Sequence, residues 1–256
     1  MSGTVPYAPD RSLKGKLRRR LVGLHARRPA PAAPAGGMVS FTFDDIPASA
    51  AADGAAVLDR AGVRGTFFIA SGLCGAEGHM GRFADEAEVA ALAAAGHEIG
   101  CHTRSHGDLA RISDGGMAAE LDANGERLAA AGAPAPAAFA YPYGEVGFAA
   151  KRVVGARFAL GRTVTAGLVG RGTDLAQAPA VGIEGPDGEA VARRWIARAA
   201  ASGAWLILYT HDVRPQPSPW GCTPEALERT VALALASGLQ PVTAGEGARA
   251  LGAAAA

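Results

Sequence analysis

From Met38 onward the chain alternates short apolar runs with longer alanine-rich stretches, and that rhythm leaves few folds open. Eight runs have the length and the β-branched or aromatic content of buried strands: MVSFTF (38–43), GTFFIA (65–70), HEIGCH (97–102), AAFAYP (137–142), ARFALG (156–161), AVGIE (180–184), AWLILYTH (204–211) and LQPVT (239–243). Helices are expected between them, near 48–61, 84–95, 114–131, 145–154, 187–202, 223–237 and 244–252. Thr223, Pro224 and Glu225 supply an N-cap followed by proline in the first helical turn. Seven or eight βα units in one chain predict an α/β fold, a parallel sheet covered by helices and either closed into a barrel or left open.

Residues 29–37, PAPAAPAGG, cannot continue a helix and read as a linker, which divides the chain into a basic extension at 1–37 and a folded domain at 38–256. Residues 1–30 hold eight Lys or Arg (Arg11, Lys14, Lys16, Arg18, Arg19, Arg20, Arg27, Arg28) against Asp10 alone, a local net of +7, so the remainder carries −6. Within this extension Leu13, Leu17, Leu21 and Leu24 recur at helical spacing with cations between them. Such a helix suits the surface of an anionic membrane over residues 11–28, a solvated tail, or a helix packed on a barrel end. The near-neutral total points away from nucleic acid. Cys74, Cys101 and Cys222 form no disulfide-like pattern, no apolar run is as long as a membrane span, and no apolar leader follows the N-terminal basic residues; a cytoplasmic protein is expected.

In parallel α/β folds the working residues collect at the C-terminal ends of strands. Four predicted strands end in polar groups: Asp44 and Asp45 after the first, His102 after the third, Tyr143 after the fourth, His211 after WLILYT. Taken singly these are ordinary; an Asp pair at a strand end commonly caps the next helix, and an HxxxH pair is often structural. Together, one carboxylate with His102 and His106 makes the donor set of a hydrolytic zinc site or of a nonhaem iron site. Spacing of four would place both imidazoles on one face of a helical turn. His97, at the front of its strand, reads as structural, His25 and His79 as surface residues, and Cys101 as a core thiol because neighbours on a strand alternate faces.

The segments SFTFDDIP, GTFFI, GHEIGCHTRSH, FAYPYGE and LILYTHD resemble, in order and spacing, the polysaccharide deacetylases of carbohydrate esterase family 4, the NodB-like domain, over about residues 38–250. The resemblance implies a distorted (β/α) barrel of about seven parallel strands and removal of acetyl groups from N-acetylated sugars with a divalent metal, most often Zn2+, with Co2+ or Ni2+ as substitutes. It implies Asp45, His102 and His106 as ligands, Asp44 as general base, His211 as general acid and the Tyr143 N–H as an oxyanion donor. Tyr141, Pro142 and Trp220 are expected to line the glycan site, since aromatic faces suit sugar rings.

Two departures stand out. The family's arginine ahead of PYG, which positions the base, is replaced at or beside Ala140; Arg162 or Arg171 could take over from another loop. The Asp-Trp motif that supports the acid histidine is missing, with Asp174 a weak substitute. A hydrolase of another amide such as a formyl-amino sugar, a nonhaem iron oxygenase and a catalytically impaired glycan-binding protein stay open as alternatives.

Overall fold

The computed structural model describes residues 12–253; residues 1–11, including Asp10 and Arg11 of the basic extension, and 254–256 lie outside the described residues. Strands β1 (Met38–Asp44), β2 (Thr66–Ile69), β5 (Glu98–Cys101), β6 (Ala138–Ala140), β7 (Leu160–Arg162), β8 (Val181–Gly182) and β9 (Trp205–Thr210) form one parallel sheet in the order β7-β6-β5-β2-β1-β9-β8. A short β10 (Gln240–Pro241) pairs with the start of β1. The seven strands curl into a half-barrel, the distorted (β/α) barrel expected. All seven residues of β1 are buried, as both-face coverage of a parallel sheet requires.

Helices α2 (Ala55–Arg60), α3 (Glu86–Ala94), α4 (Asp114–Ala130), α5 (Phe148–Arg157), α6 (Gly188–Ser202), α7 (Pro224–Ala236) and α8 (Ala244–Ala250) follow the expected stretches. Four of these helices start on side-chain caps: Asp85 with Glu88 and Thr243 with Glu246 form capping boxes on α3 and α8, Ser113 caps α4, and Thr223 caps α7 ahead of Pro224. Small residues let helices and strands approach closely. A Cβ on Gly100, for example, would lie 2.4 Å from Cδ1 of Phe68.

Three features depart from the sequence reading. The helix expected from residue 48 opens with a π-helical turn at Ala50–Gly54. A two-stranded antiparallel hairpin, β3 (Glu77–Gly78) and β4 (Gly81–Arg82), precedes α3; runs of two residues carry no periodicity to read. The helix expected at 145–154 begins three residues later, because Pro142–Gly144 forms a 3-10 turn with Tyr143 in the left-handed region (φ 58°).

The Pro/Ala segment is bound to the barrel rather than spanning a gap. The Arg28 N–H donates to Asp174 Oδ1 (2.9 Å), the Ala30 N–H to Thr173 O (2.7 Å) and the Ala32 N–H to Leu251 O (3.2 Å), and Ala30 is buried. Ahead of it lies α1 (Leu13–Leu24), capped by Ser12.

Candidate active site

Asp44 is the last residue of β1, and the chain then takes two consecutive left-handed residues, Asp45 (φ 60°) and Ile46 (φ 59°). On a continuing strand neighbouring side chains would point to opposite faces. The break lets both carboxylates serve the same rim with different partners. Asp44 Oδ1 accepts from Arg162 Nη2 at the end of β7, whereas Asp45 Oδ1 lies 3.2 Å from His102 Nε2 and 2.9 Å from His106 Nε2.

His102 follows β5 and extends its ladder, its N–H donating to Ile69 O at 3.0 Å. The two histidines do not share a helical turn, contrary to the spacing argument. They are joined by a loop in which Thr103 (φ 63°) and His106 (φ 54°) are left-handed, so the chain doubles back instead of winding. Thr103 Oγ1 accepts the His106 N–H (3.1 Å), and Glu120 on α4 accepts the N–H groups of Arg104 (3.0 Å) and Ser105 (2.8 Å). The His106 ring packs edge-on against that of Tyr143, centroids 4.6 Å apart.

Six non-glycine residues among those described have positive φ, and five of them, Asp45, Ile46, Thr103, His106 and Tyr143, belong to these loops. Each such conformation costs on the order of 1–3 kcal/mol and persists only where the surroundings over-determine it. For Ile46, β-branched and buried, the conformation is a genuine outlier.

The donor set fits a metal ion. One atom each from Asp45, His102 and His106 lie within 4.8 Å of one another. His102 Nδ1 is 2.7 Å from Ala140 O; with its proton there, the neutral ring turns a lone pair at Nε2 toward Asp45. Asp45 Oδ1 is buried with no hydrogen-bond donor, so acceptors converge on a point that a cation would neutralise. When the imidazoles are protonated instead, burial still pushes the Asp45 carboxyl up, but their N–H groups and charge outweigh it and hold the carboxyl well below the usual carboxylate range.

Asp44 and His211 flank this cluster. Burial works to raise the Asp44 carboxyl too, yet the charge of Arg162, aided by His102 and His211, keeps it low and ionised. Arg162 is fully buried, its guanidinium 5.0 Å from the Phe68 ring centroid and 5.1 Å from that of Tyr209. Of the two residues considered in place of the arginine missing near Ala140, it is the one in contact with Asp44. Arg171 is exposed and touches none of these groups. His211 Nδ1 lies 2.9 Å from Glu184 Oε1 and 3.2 Å from Trp220 O. Burial would lower its pKa, but the Glu184 hydrogen bond and the charges of Asp44, Asp45 and Glu184 raise it to about 9.

Other expected residues fall elsewhere. Tyr141 is a correction: its ring is buried against Phe139 (5.0 Å) and its hydroxyl donates to Ala176 O (2.8 Å), so it is core and not pocket wall. Pro142 is buried beneath the turn, and Tyr143 is 44% exposed. Trp220 is 45% exposed and meets His79 of the hairpin edge-on at 5.0 Å. Asp174, the expected support for His211, instead pairs with Lys151 (2.7 Å) and the Arg28 N–H. Glu184 was missed, although it closes the AVGIE run and is therefore an acid at a strand's C-terminal end. His97 is buried, accepting the Gly65 N–H (3.1 Å), and burial lifts the Cys101 thiol to about 11.

A family model described as polysaccharide deacetylase matches residues 32–160, half of the chain. No curated protein matches. Among solved structures the chain is similar to the Xyl-CE4 domain of a multidomain xylanase from the hindgut metagenome of Trinervitermes trinervoides (18% identity, 86% of this chain and 93% of that one, TM-score 0.61). It is similar as well to a family 4 acetyl xylan esterase from Clostridium thermocellum in complex with a cobalt ion (22%, 82% and 89%, TM-score 0.58). A third, BA3943 from Bacillus anthracis, is a pseudoenzyme of the same esterase family (17%, 86% and 69%, TM-score 0.58). At these identities the likeness carries the fold, while the family model carries membership: the chain belongs to the polysaccharide deacetylase family.

Proposed function

We propose that the protein is a metal-dependent hydrolase that removes acetyl groups from N-acetylhexosamine units of a bacterial polysaccharide or lipid-linked oligosaccharide, such as an exopolysaccharide, adhesin or envelope glycan. The observation that carries this reading is the convergence of Asp45, His102 and His106 between a buried Asp44–Arg162 pair and a Glu184–His211 pair. Asp45, His102 and His106 would hold the ion, most simply Zn2+, which supplies polarisation of the acetyl carbonyl and a more acidic water.

The chain's own residues account for the remaining demands of amide hydrolysis. Asp44, kept ionised by Arg162, takes the proton of the attacking water. His211, kept protonated near neutral pH by Glu184, gives a proton to the departing nitrogen. Their charges act on one another across the cluster, so acid and base differ because their partners differ. The left-handed Tyr143 presents its backbone N–H as oxyanion donor, a contribution worth roughly 3–4 kcal/mol in such sites. Tyr143 and the exposed face of Trp220 form the sugar-facing rim, with Pro142 holding the turn from beneath.

A nonhaem iron oxygenase would give no task to the two flanking pairs, and the Arg162 contact with Asp44 removes the motive for reading the site as decayed. Three unpaired cysteines favour a reducing compartment, hence the cytoplasm, and no helix among the described residues is long and apolar enough to cross a membrane. The test is acetate release from N-acetylglucosamine oligomers by chelator-treated protein, before and after adding zinc or cobalt. Metal-restored release is expected; none with either ion overturns the reading.

A further inference from the structure

Helix α1 has two faces with opposite fates. At 3.6 residues per turn Gly15 and Val22 fall together, and both are buried. Beside them Arg18 and Arg19 each reach Glu145 at 3.3 Å, and Arg18 also donates to Ala110 O (3.4 Å). The fully buried Lys151 donates to the carbonyls of Val22 (2.8 Å) and Gly23 (3.2 Å), satisfying the helix's C-terminal end, and pairs with Asp174. The helix is thus fixed to the domain, and its clamp is made to the two loops that also carry His106 and Tyr143.

The opposite face is apolar and open. Leu13, Leu17, Leu21 and Leu24 are 83, 59, 48 and 69% exposed and project within an arc of about 80°. Lys14 borders one side of this stripe, Lys16 and Arg20 the other. All three are exposed and in no ion pair among the described residues, and α1 holds no acidic residue. Docking on the domain has spent the Gly15–Val22 face and turned the leucines outward.

We infer that this outward face of α1 binds the surface of an anionic lipid bilayer, leucines entering the acyl boundary and the flanking cations meeting lipid phosphates. Charge selects this occupant over a second copy of the chain, since self-pairing would bring two all-cationic helices together in a medium of falling dielectric. The inference stands independently of the proposed chemistry.

The test is co-sedimentation of the full chain with vesicles of phosphatidylcholine alone or mixed with phosphatidylglycerol, at low and high salt. Binding to the mixed vesicles that weakens with salt is expected. Leu17→Asn with Leu21→Asn is expected to lower partitioning by at least about tenfold, given the apolar area withdrawn. The triple variant K14Q/K16Q/R20Q is expected to lower it about a hundredfold, at roughly fivefold per cation. All five positions are exposed, so unchanged melting of the variants separates lost binding from lost folding. Absence of wild-type binding overturns the inference, as does binding that the leucine substitutions leave intact. A dimer in sedimentation velocity that L17N/L21N dissociates would assign the stripe to a second copy and overturn it too.

Discussion

Replacing Arg162 by methionine tests whether the buried pair at the end of β1 holds the site together. Asp44 is 3% exposed and Arg162 is sealed entirely from solvent. Two unit charges about 4 Å apart attract by about 4 kcal/mol at an effective dielectric of about 20. Removing one partner strands the other, at a typical cost of about 3–5 kcal/mol. Methionine retains most of the volume between Phe68 and Tyr209, so little of the loss is cavity. We therefore expect R162M to lose about 3–5 kcal/mol and Asp44→Asn, which strands a guanidinium, to lose a comparable amount. The double variant should lose less than the sum by at least about 2 kcal/mol. Urea unfolding at neutral pH with chelator, followed by far-ultraviolet circular dichroism, gives all three values free of any ion's contribution. An R162M cost below about 1 kcal/mol, or a cycle additive within about 0.5 kcal/mol, would refute the assignment.

Calorimetric zinc titration should show no binding to His102→Ala or D45N, whereas D44N binds zinc but loses turnover; full turnover by D44N would remove the base assignment. In the proposed mechanism His211 works as an acid, and with its pKa raised to about 9, kcat/KM should fall as pH rises through that value. Glu184→Gln removes the main raising partner, so the falling limb should move down toward the ordinary histidine value of about 6.5, and a limb that stays in place would contradict the pairing. Tyr141→Phe should cost about 1–2 kcal/mol in stability by leaving Ala176 O unpaired, with KM unchanged; a raised KM at unaltered stability would return Tyr141 to the pocket.

The identity of the central strands was legible because they are buried on both faces, which forces continuous apolar runs such as MVSFTF and WLILYT. The polar residues that interrupt those runs at their C-terminal ends were legible for the same reason: a buried sheet ends where the chain can afford a carboxylate or an imidazole. What failed was local geometry. The four-residue spacing of His102 and His106 suggested a helical turn, but three of the decisive angles, at Asp45, Thr103 and His106, lie where non-glycine residues rarely go and composition gives no warning. Tyr141 was misplaced because a strand end offers two faces, and only tertiary packing shows that its hydroxyl meets Ala176. Glu184 escaped notice because its partner lies 27 residues away in sequence.

The arginine paired with Asp44 comes from β7, one strand along from β6, where the family resemblance places it at or beside Ala140. Inspection along the chain finds an alanine and suggests a broken enzyme; inspection in space finds a guanidinium. The same ionic prop can be supplied from either of two neighbouring strands, because both end at the rim where Asp44 sits. Position along the chain alone therefore mistakes a relocated charge for a lost one.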